Sequence, residues 1–181
     1  MNQLELINVK LRELNSELTS LANSLDFEKI CEFNLENCAT TIPWNSIVYS
    51  GVYQIEIKND AKFDDFTSWV NNFRNEWEDT KYKTHFVSNL RKVRIAKHSE
   101  LKDWIPIYIG KSKQIGGRIH QHIYKELGKP TFALKLNARD NMRNYTFRLS
   151  AIKVSPENYD WVMPVFEKTL RNKINPIIGR Q

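Results

Sequence analysis

Three short runs of β-branched and aromatic residues, separated by segments with helical periodicity, are the feature that most constrains the fold of this chain. The first run is SIVYSGVYQIEI at 46–57, the second spans 105–109 and ends at Gly110, and the third spans 145–154. Such side chains fit the pleated, half-buried surface of a sheet. Strands that alternate with helices are typical of a mixed fold. The sequence therefore predicts the α/β (α+β) class, with helices flanking a small sheet.

The spacing of apolar residues predicts a helix after each of these strands. The first has an aromatic face, which packing in the core explains more simply than base stacking. Its apolar positions are Phe63, Phe66, Trp69, Val70, Phe73 and Trp77. The second is expected to run from an N-cap at Ser112 towards Gly128. Its buried positions are Ile115, Ile119, Ile123 and Leu127. The third contains Pro164, either in its first turn or at a kink. Its buried positions are Val162, Phe166, Leu170 and Ile174.

The N-terminal segment carries an apolar seam whose members recur at alternating steps of three and four residues. They are Leu4, Ile7, Leu11, Leu14, Leu18, Leu21 and Leu25. This pattern predicts an amphipathic helix with three heptads. Two arrangements fit it equally well: a coiled-coil dimer, or a helix that lies across its own domain.

The length and the net charge of the chain indicate its domain organisation and the kind of partner it binds. A chain of 181 residues with 41% hydrophobic residues fits one compact domain with an appended helix. The net charge of +6 favours a polyanionic partner such as nucleic acid, although an anionic membrane attracts the same charge. We expect neither a membrane span nor a secretory leader, and hence a cytoplasmic protein, in which Cys31 and Cys38 stay reduced thiols.

Cationic side chains cluster in two stretches that could contact phosphates. Residues 81–98 contain six Lys or Arg and no Asp or Glu: Lys81, Lys83, Arg91, Lys92, Arg94 and Lys97. A second set follows the later strands: Lys111, Lys113, Arg139, Arg143 and Arg148. We interpret these residues as candidate DNA-backbone contacts. The alternative for each of them is an ordinary solvated surface.

Two strand motifs and three later residues carry a resemblance to a known family. The tripeptide GVY lies at 51–53 and YIG at 108–110, Arg118 follows eight residues after Gly110, and His122 follows four residues after Arg118. Glu167 lies further on, in FEKTLRNKINP. In type, order and spacing these features resemble the GIY-YIG nuclease superfamily over residues 46–181. The match suggests a stand-alone member similar to restriction endonucleases.

The resemblance implies a mainly antiparallel three-stranded sheet and a division of the chain. Residues 1–45 are expected to form a helical extension and 46–181 the nuclease domain, with a helical insertion at about 59–104. More than 50 residues separate GVY from YIG, where many relatives have a short loop. A second departure is Gly179, which stands where the family often has asparagine. Asn175 is a candidate to replace it.

The resemblance also implies a role for each matched residue, and the chemistry of phosphodiester hydrolysis agrees with these roles. Glu167 is expected to bind Mg²⁺ or Mn²⁺ through a hard oxygen ligand. Arg118 is expected to grip phosphate oxygens and to stabilise the transition state. His122, on the same helix face, approaches the same cleft. Tyr53 and Tyr108 are expected to orient the attacking water, in a direct in-line attack without a covalent enzyme intermediate.

Our hypothesis from the sequence is a metal-dependent endonuclease that cuts double-stranded DNA at specific sequences, as type II restriction enzymes do. The insertion would then read the bases. Cutting both strands requires two active sites, so a homodimer is expected either through the N-terminal helix or on DNA. Two alternatives stay open: a structure-specific repair or recombination nuclease, and a DNA-binding module without catalysis.

Overall fold

The computed structural model describes residues 2–60 and 62–179. Its main sheet has four strands, all antiparallel to their neighbours, in the order β1-β5-β2-β4. A separate two-stranded sheet pairs β3 with β6. The strands are β1 (Glu28–Phe33), β2 (Gly51–Lys58), β3 (Asn89–Leu90), β4 (Trp104–Ser112), β5 (Phe147–Lys153) and β6 (Ile178–Gly179). The predicted α+β class with a mainly antiparallel sheet is confirmed.

The prediction of three strands was one too few, because the segment 1–45 is not entirely helical. Strand β1 lies within this segment and pairs with β5 at the edge of the sheet, where Phe33 faces Phe147. Of its six residues only Phe33 is buried. An edge strand that exposes most of its side chains does not need the run of apolar residues that marks a central strand, so its sequence signal is weak.

Six α-helices lie within the described ranges 2–60 and 62–179. They are α1 (Gln3–Ser24), α2 (Cys38–Thr41), α3 (Phe66–Trp77), α4 (Lys92–Ile95), α5 (Ile115–Tyr124) and α6 (Tyr159–Ile174). Helix α5 begins after Gln114, not after Ser112, since the Ser112 hydroxyl is used in a tight turn with Gln114. The helix also ends four residues before Gly128. In α6, Pro164 lies in the second turn and not the first.

The main sheet separates two hydrophobic cores. In β2, Tyr53, Ile55 and Ile57 belong to the larger core, while Val52 belongs to the smaller one. Because successive side chains of a strand point to opposite faces, each face of the sheet carries one core. Helices α3 and α5 contribute to the larger core, and α1 and α6 to the smaller. Strand β2 is therefore buried on both faces, and on the face that carries Val52 it also buries the polar side chains of Gln54 and Glu56.

The insertion is folded onto the domain. Its helix α3 buries Phe66, Trp69, Val70, Phe73 and Trp77 in the larger core, as the core-packing interpretation predicted. The ring centroids of Trp69 and Phe73 lie 5.1 Å apart, and those of Phe73 and Trp77 lie 5.8 Å apart. Stacked aromatic rings bury large apolar areas and fix the helix against the sheet.

Helix α1 contacts the domain only through its C-terminal half. Ala22 is buried against α6, and Leu18 and Leu25 pack beside it. Lys173 of α6 ties the two helices together by donating to the carbonyl oxygen of Asn23 at 3.0 Å. The seam residues nearer the N-terminus stay exposed. Within 2–60 and 62–179, no helix combines the length and the apolar character needed to cross a membrane.

Candidate active site

The GVY and YIG motifs are neighbours in the sheet. Strands β2 and β4 are paired so that Tyr53 faces Gly110 and Ile55 faces Tyr108. The phenol of Tyr53 lies directly over Gly110, where a Cβ atom would sit only 2.3 Å from the Tyr53 hydroxyl. Glycine is thus required at this position because no other residue leaves room for the ring. The two tyrosine rings stack with centroids 6.2 Å apart.

Tyr53 and His122 form a buried pair beneath the site. The Tyr53 hydroxyl and His122 Nε2 lie 2.8 Å apart, and the backbone N–H of Leu134 donates to His122 Nδ1 at 3.1 Å. An imidazole whose Nδ1 accepts a hydrogen bond carries its proton on Nε2, so His122 donates to the Tyr53 oxygen. The tyrosine proton is then directed elsewhere.

Burial controls the charge of this pair. Both side chains are fully buried, at 0% exposure. Burial, assisted by the charge of Arg118, lowers the pKa of His122 well below its ordinary value. Burial also raises the pKa of Tyr53 well above its ordinary value, and Tyr108 adds to this effect while Arg118 opposes it. Both groups are accordingly neutral near pH 7.

A cavity of about 250 Å³ opens above this pair, and its walls bring together residues that are distant in sequence. Tyr108 and Arg118 line it from β4 and α5, and Glu167 and Arg171 line it from α6. Of the five predicted catalytic residues, three therefore face one cavity, and Tyr53 and His122 support it from below. We call this cavity the catalytic cavity.

Arg118 is held in place at the wall of the catalytic cavity. One terminal nitrogen donates to the side-chain oxygen of Gln121, and the other donates to the carbonyl oxygen of Phe132. The guanidinium lies close enough to Tyr53 and Tyr108 for its charge to act on both phenols. A fixed, permanently charged fork suits a phosphate oxygen better than a mobile lysine would.

Glu167 is the carboxylate of the catalytic cavity. Its side chain is 21% exposed, and Arg171 lies one helical turn further on, with an N–O distance of 3.5 Å. Burial raises the pKa of Glu167, while the charges of Arg171, Lys111 and Arg118 act in the opposite direction. Three cations thus surround this carboxylate, and although burial outweighs their effect on the pKa of Glu167, their positive charge suits a phosphate.

The donor set fits a metal that keeps most of its own water. Within the described residues, no group of three or more His, Cys, Asp or Glu side chains is arranged to hold an ion. Mg²⁺ is commonly bound by one or two carboxylates, with water and substrate phosphate as the other ligands. Glu167, partly buried at the cavity wall, is suited to be that single carboxylate. A tightly held structural Zn²⁺ would need more ligands.

A second cavity, of about 690 Å³, adjoins the first. Glu167 and Arg171 line both cavities. The larger one also receives Arg91 and Arg94 from the insertion and Lys168 from α6. We call it the basic groove. Arg91 and Lys168 have no side-chain hydrogen bond or ion pair with the other described residues, so both cations are available to a ligand.

The side chains of the predicted DNA contacts differ in whether they bind other residues of the chain. Arg94 is committed to the fold: it donates to the backbone oxygen of Arg171 at 3.2 Å and to the side chains of Asn175 and Asn172. Lys113 pairs with Asp160 at 3.4 Å. The remaining cations of this set are exposed or partly exposed, and their role stays a prediction: Lys81, Lys83, Arg91, Lys92, Lys97, Lys111 and Arg143.

Arg139 was wrongly predicted as a DNA contact. Its side chain is 0% exposed and lies in the domain interior. The guanidinium stacks over the Trp77 ring at 3.8 Å and donates to the Trp77 carbonyl at 3.1 Å. Burial lowers its pKa to about 10. Arg148 is also structural, because it forms a two-pronged ion pair with Glu56.

Gly179, the residue that stands where the family often has asparagine, lies at the catalytic cavity. Gly179 lines it, whereas Asn175 ends α6 with a φ of 57° and accepts a hydrogen bond from Arg94. Asn175 is thus engaged in capping the helix.

Two residues that sequence reasoning missed, Lys168 and Arg171, follow Glu167 by one and four positions. The i,i+4 spacing of Glu167 and Arg171 is a signal that could have identified the second.

A scan against protein-family models, a search of curated proteins and a search of solved structures found no match to this chain.

Proposed function

We propose that this chain is a metal-dependent endonuclease of the GIY-YIG type that hydrolyses phosphodiester bonds in double-stranded DNA. One observation carries the proposal. Tyr108, Arg118 and Glu167, separated along the chain, line a single cavity that the buried Tyr53–His122 pair supports from below. These are the residue types that hydrolysis of a phosphate diester needs: a cation for the phosphoryl oxygens, a carboxylate, and groups that orient water.

The Tyr53–His122 pair supports the wall of the catalytic cavity. His122 donates to the phenol oxygen, and Arg118 lies within hydrogen-bonding reach of the same phenol. With a pKa raised by burial, Tyr53 is a neutral phenol in the free protein. Because Tyr53 is fully buried and does not line the cavity, it acts by holding Arg118 and Tyr108 in place, and Tyr108 at the cavity wall orients the nucleophile.

Arg118 and Glu167 supply the electrostatic part of the reaction. The fixed guanidinium of Arg118 stabilises the negative charge that grows on the phosphoryl oxygens. Glu167 would hold the divalent ion, and Mg²⁺ or Mn²⁺ bound there supplies Lewis-acid stabilisation of the phosphate. Lys111, whose charge reaches Glu167, adds positive potential at the same side of the cavity.

The basic groove is the proposed path of the DNA backbone away from the reacting phosphate. It shares Glu167 and Arg171 with the catalytic cavity and places Arg91 and Lys168 further along. Phosphate contacts of this kind fix the position of a duplex without reading its sequence. The insertion contributes Arg91, Val93 and Arg94 to the other wall of the groove. Contact of the insertion with bases would give sequence-specific cleavage of the restriction type, in place of a structure-specific nuclease.

Incubation of plasmid and phage DNA with the purified protein and Mg²⁺, with and without chelator, tests the proposal. Glu167→Gln keeps the size of the side chain and removes its charge, and the exposed Glu36→Gln is the matched control. We expect discrete fragments from the wild type and from Glu36→Gln, and none with chelator or Glu167→Gln. Arg118→Ala should lower the cleavage rate by about 10²–10³-fold, as loss of one transition-state donor does.

The pattern of failure distinguishes the competing functions. Cleavage of branched or flapped DNA, with linear duplex left intact, would replace the restriction role by that of a structure-specific nuclease. DNA that shifts in a gel but is never cut, with either metal and with every substrate, would refute the enzyme and leave a binding module.

A further inference from the structure

The exposed half of α1 is the largest feature that the proposed function does not use. Side chains from Gln3 to Glu17 are exposed, except for the half-buried Val9. Among them are Leu4 at 65% exposure, Ile7 at 47%, Leu11 at 46% and Leu14 at 51%. Further along, Leu21 is 51% exposed. A helical stripe of this size without contacts is typical of an interface.

We infer that two copies of this chain associate through α1 in an antiparallel coiled coil centred between Leu11 and Leu14. The inference does not depend on the proposed nuclease activity. In this register Leu11 of one copy faces Leu14 of the other, Ile7 faces Leu18, and Leu4 faces Leu21. All of these residues belong to the heptad seam, so the apolar layers are continuous over the overlap.

Charge complementarity selects the antiparallel orientation. In the heptad frame, Leu4, Leu11 and Leu18 occupy a positions, and Ile7, Leu14 and Leu21 occupy d positions. Lys10 and Glu17 then both occupy g positions, three residues after Ile7 and Leu14. In an antiparallel pair g residues face g residues, so Lys10 of each copy meets Glu17 of the other, and this favourable contact occurs twice. In a parallel pair g faces e, and Lys10 would meet the uncharged Asn15. Neither Lys10 nor Glu17 has an ion-pair partner among the residues that the structure describes.

The fold leaves open the side of α1 that a second α1 would contact, namely the seam and the flank with Lys10 and Glu17. Helix α6 packs against the side that carries Ala22, an e position, and covers part of Leu18 and Leu25. The two helices run in the same direction, since Asn15 and Thr19 share a cavity with Pro164, and Asn23 bonds with Lys173. Lys10 and Glu17 lie on the opposite flank. A second α1 can therefore lie along the seam without displacing α6.

Charge-swap variants of the full chain test both the association and its orientation, measured by sedimentation equilibrium and light scattering at low salt. The wild type is expected to be a dimer. Lys10→Glu and Glu17→Lys each create two like-charge contacts and should weaken the dimer by roughly tenfold or more. The double variant Lys10→Glu/Glu17→Lys restores both attractive pairs and should dimerise like the wild type. A mixture of the two single variants should form heterodimers.

Apolar substitutions and cysteine crosslinks provide an independent check. Leu14→Asn, in the seam, should produce monomers, whereas Leu6→Asn is the matched control, because Leu6 is 44% exposed but lies outside the seam. Leu11→Cys and Leu14→Cys proteins should form a disulfide when mixed and oxidised, and neither should do so alone. Wild-type protein, with its own Cys31 and Cys38, gives the background.

Three results would overturn the inference. The first is a wild-type protein that stays monomeric at tens of micromolar, and the second is a dimer that Leu14→Asn does not affect. The third is efficient self-crosslinking of Leu14→Cys together with insensitivity to both charge variants, which would establish a parallel pair.

Discussion

His122 is an uncharged imidazole beneath the candidate active site, and its surroundings explain this state. It is fully buried, one ring nitrogen accepts from the Leu134 backbone, and the Arg118 charge lies nearby. A protonated imidazole would lose the bond from Leu134 and would be repelled by Arg118. The residue is thus suited to hold the Tyr53 phenol in place, and its folded-state pKa lies well below that of the unfolded chain.

This pKa difference predicts a pH-dependent stability. Because the folded pKa of His122 is lowered, the unfolded chain binds the proton more readily at low pH. Stability linked to His122 is therefore complete above about pH 6.5 and is lost below it, by about 1.4 kcal/mol per pH unit until the folded pKa is reached. Urea unfolding at pH 7.5 and 5.5 should show a smaller loss for His122→Gln than for the wild type. His120→Gln, on the exposed side of α5, should retain the wild-type loss, and equal losses in all three proteins would contradict the prediction.

Gly110 provides the second prediction at this scale. Gly110→Ala places a Cβ 2.3 Å from the Tyr53 hydroxyl, so the ring or the strand must move. We expect a destabilisation of about 1–3 kcal/mol, as for other overpacked core positions, together with loss of cleavage. Gly128→Ala is the control, because a Cβ there has nothing within 4 Å. Thermal unfolding of the two variants measures the difference. An unchanged Gly110→Ala protein would show that Tyr53 does not occupy this space.

At the scale of elements, α6 connects the insertion to the catalytic cavity. It carries Glu167 and Arg171, and its C-terminal end is held by Arg94 of α4 through the Arg171 carbonyl and two asparagine side chains. His98 adds a contact of 2.7 Å with the Asn175 carbonyl. The small sheet of β3 and β6 fixes the chain that follows the helix. A segment inserted between two strands thereby helps to fix the position of Glu167, the carboxylate proposed to bind the metal.

Removal of the Arg94 contacts should loosen this connection. Arg94→Ala removes the hydrogen bonds to the Arg171 carbonyl and to the side chains of Asn172 and Asn175, at a cost of about 1.5–3 kcal/mol for hydrogen bonds from a charged group. Hydrogen exchange should increase in 171–179, and cleavage should decrease with it. Lys102→Ala, at an exposed position of the insertion outside the predicted DNA contacts, should change neither. Faster exchange confined to α4 itself would show that α6 does not depend on the insertion.

The elements also show which parts of the fold could be predicted. The aromatic periodicity of α3 and the β-branched runs of β2, β4 and β5 gave correct elements, because buried faces impose a period on the sequence. Strand β1 escaped prediction because it buries little. The family resemblance named the candidate site residues, but not the depth of each one: Tyr53 and His122 lie under the cavity, and Arg139, a predicted DNA contact, lies inside the core. Burial of this kind depends on tertiary packing that local spacing does not encode.

At the scale of the whole molecule, the cations that line the two cavities lie towards one edge of the main sheet. Strand β4, which carries Tyr108, forms one edge, and β1 forms the other. The basic groove lies with the catalytic cavity, while Lys29 of β1 belongs to the far edge and pairs with Glu32 at 3.4 Å. Under the proposed function, a net charge of +6 would attract DNA to any part of the surface, whereas the basic groove would hold its backbone beside Glu167.

The salt dependence of DNA binding distinguishes the cations of the basic groove from cations elsewhere on the surface. Each phosphate contact releases counterions, so its loss lowers the slope of log K against log salt by about 0.9 for duplex DNA. Arg91→Ala and Lys168→Ala should each weaken binding and reduce the slope by about that amount, measured by fluorescence anisotropy in chelator to prevent cleavage. Lys29→Ala removes the same charge from the far edge and should leave the slope unchanged. If all three variants behave alike, the DNA is held by net charge and not by the groove. If Lys29→Ala alone is affected, the duplex lies across the opposite edge, and the proposed route past Glu167 is wrong.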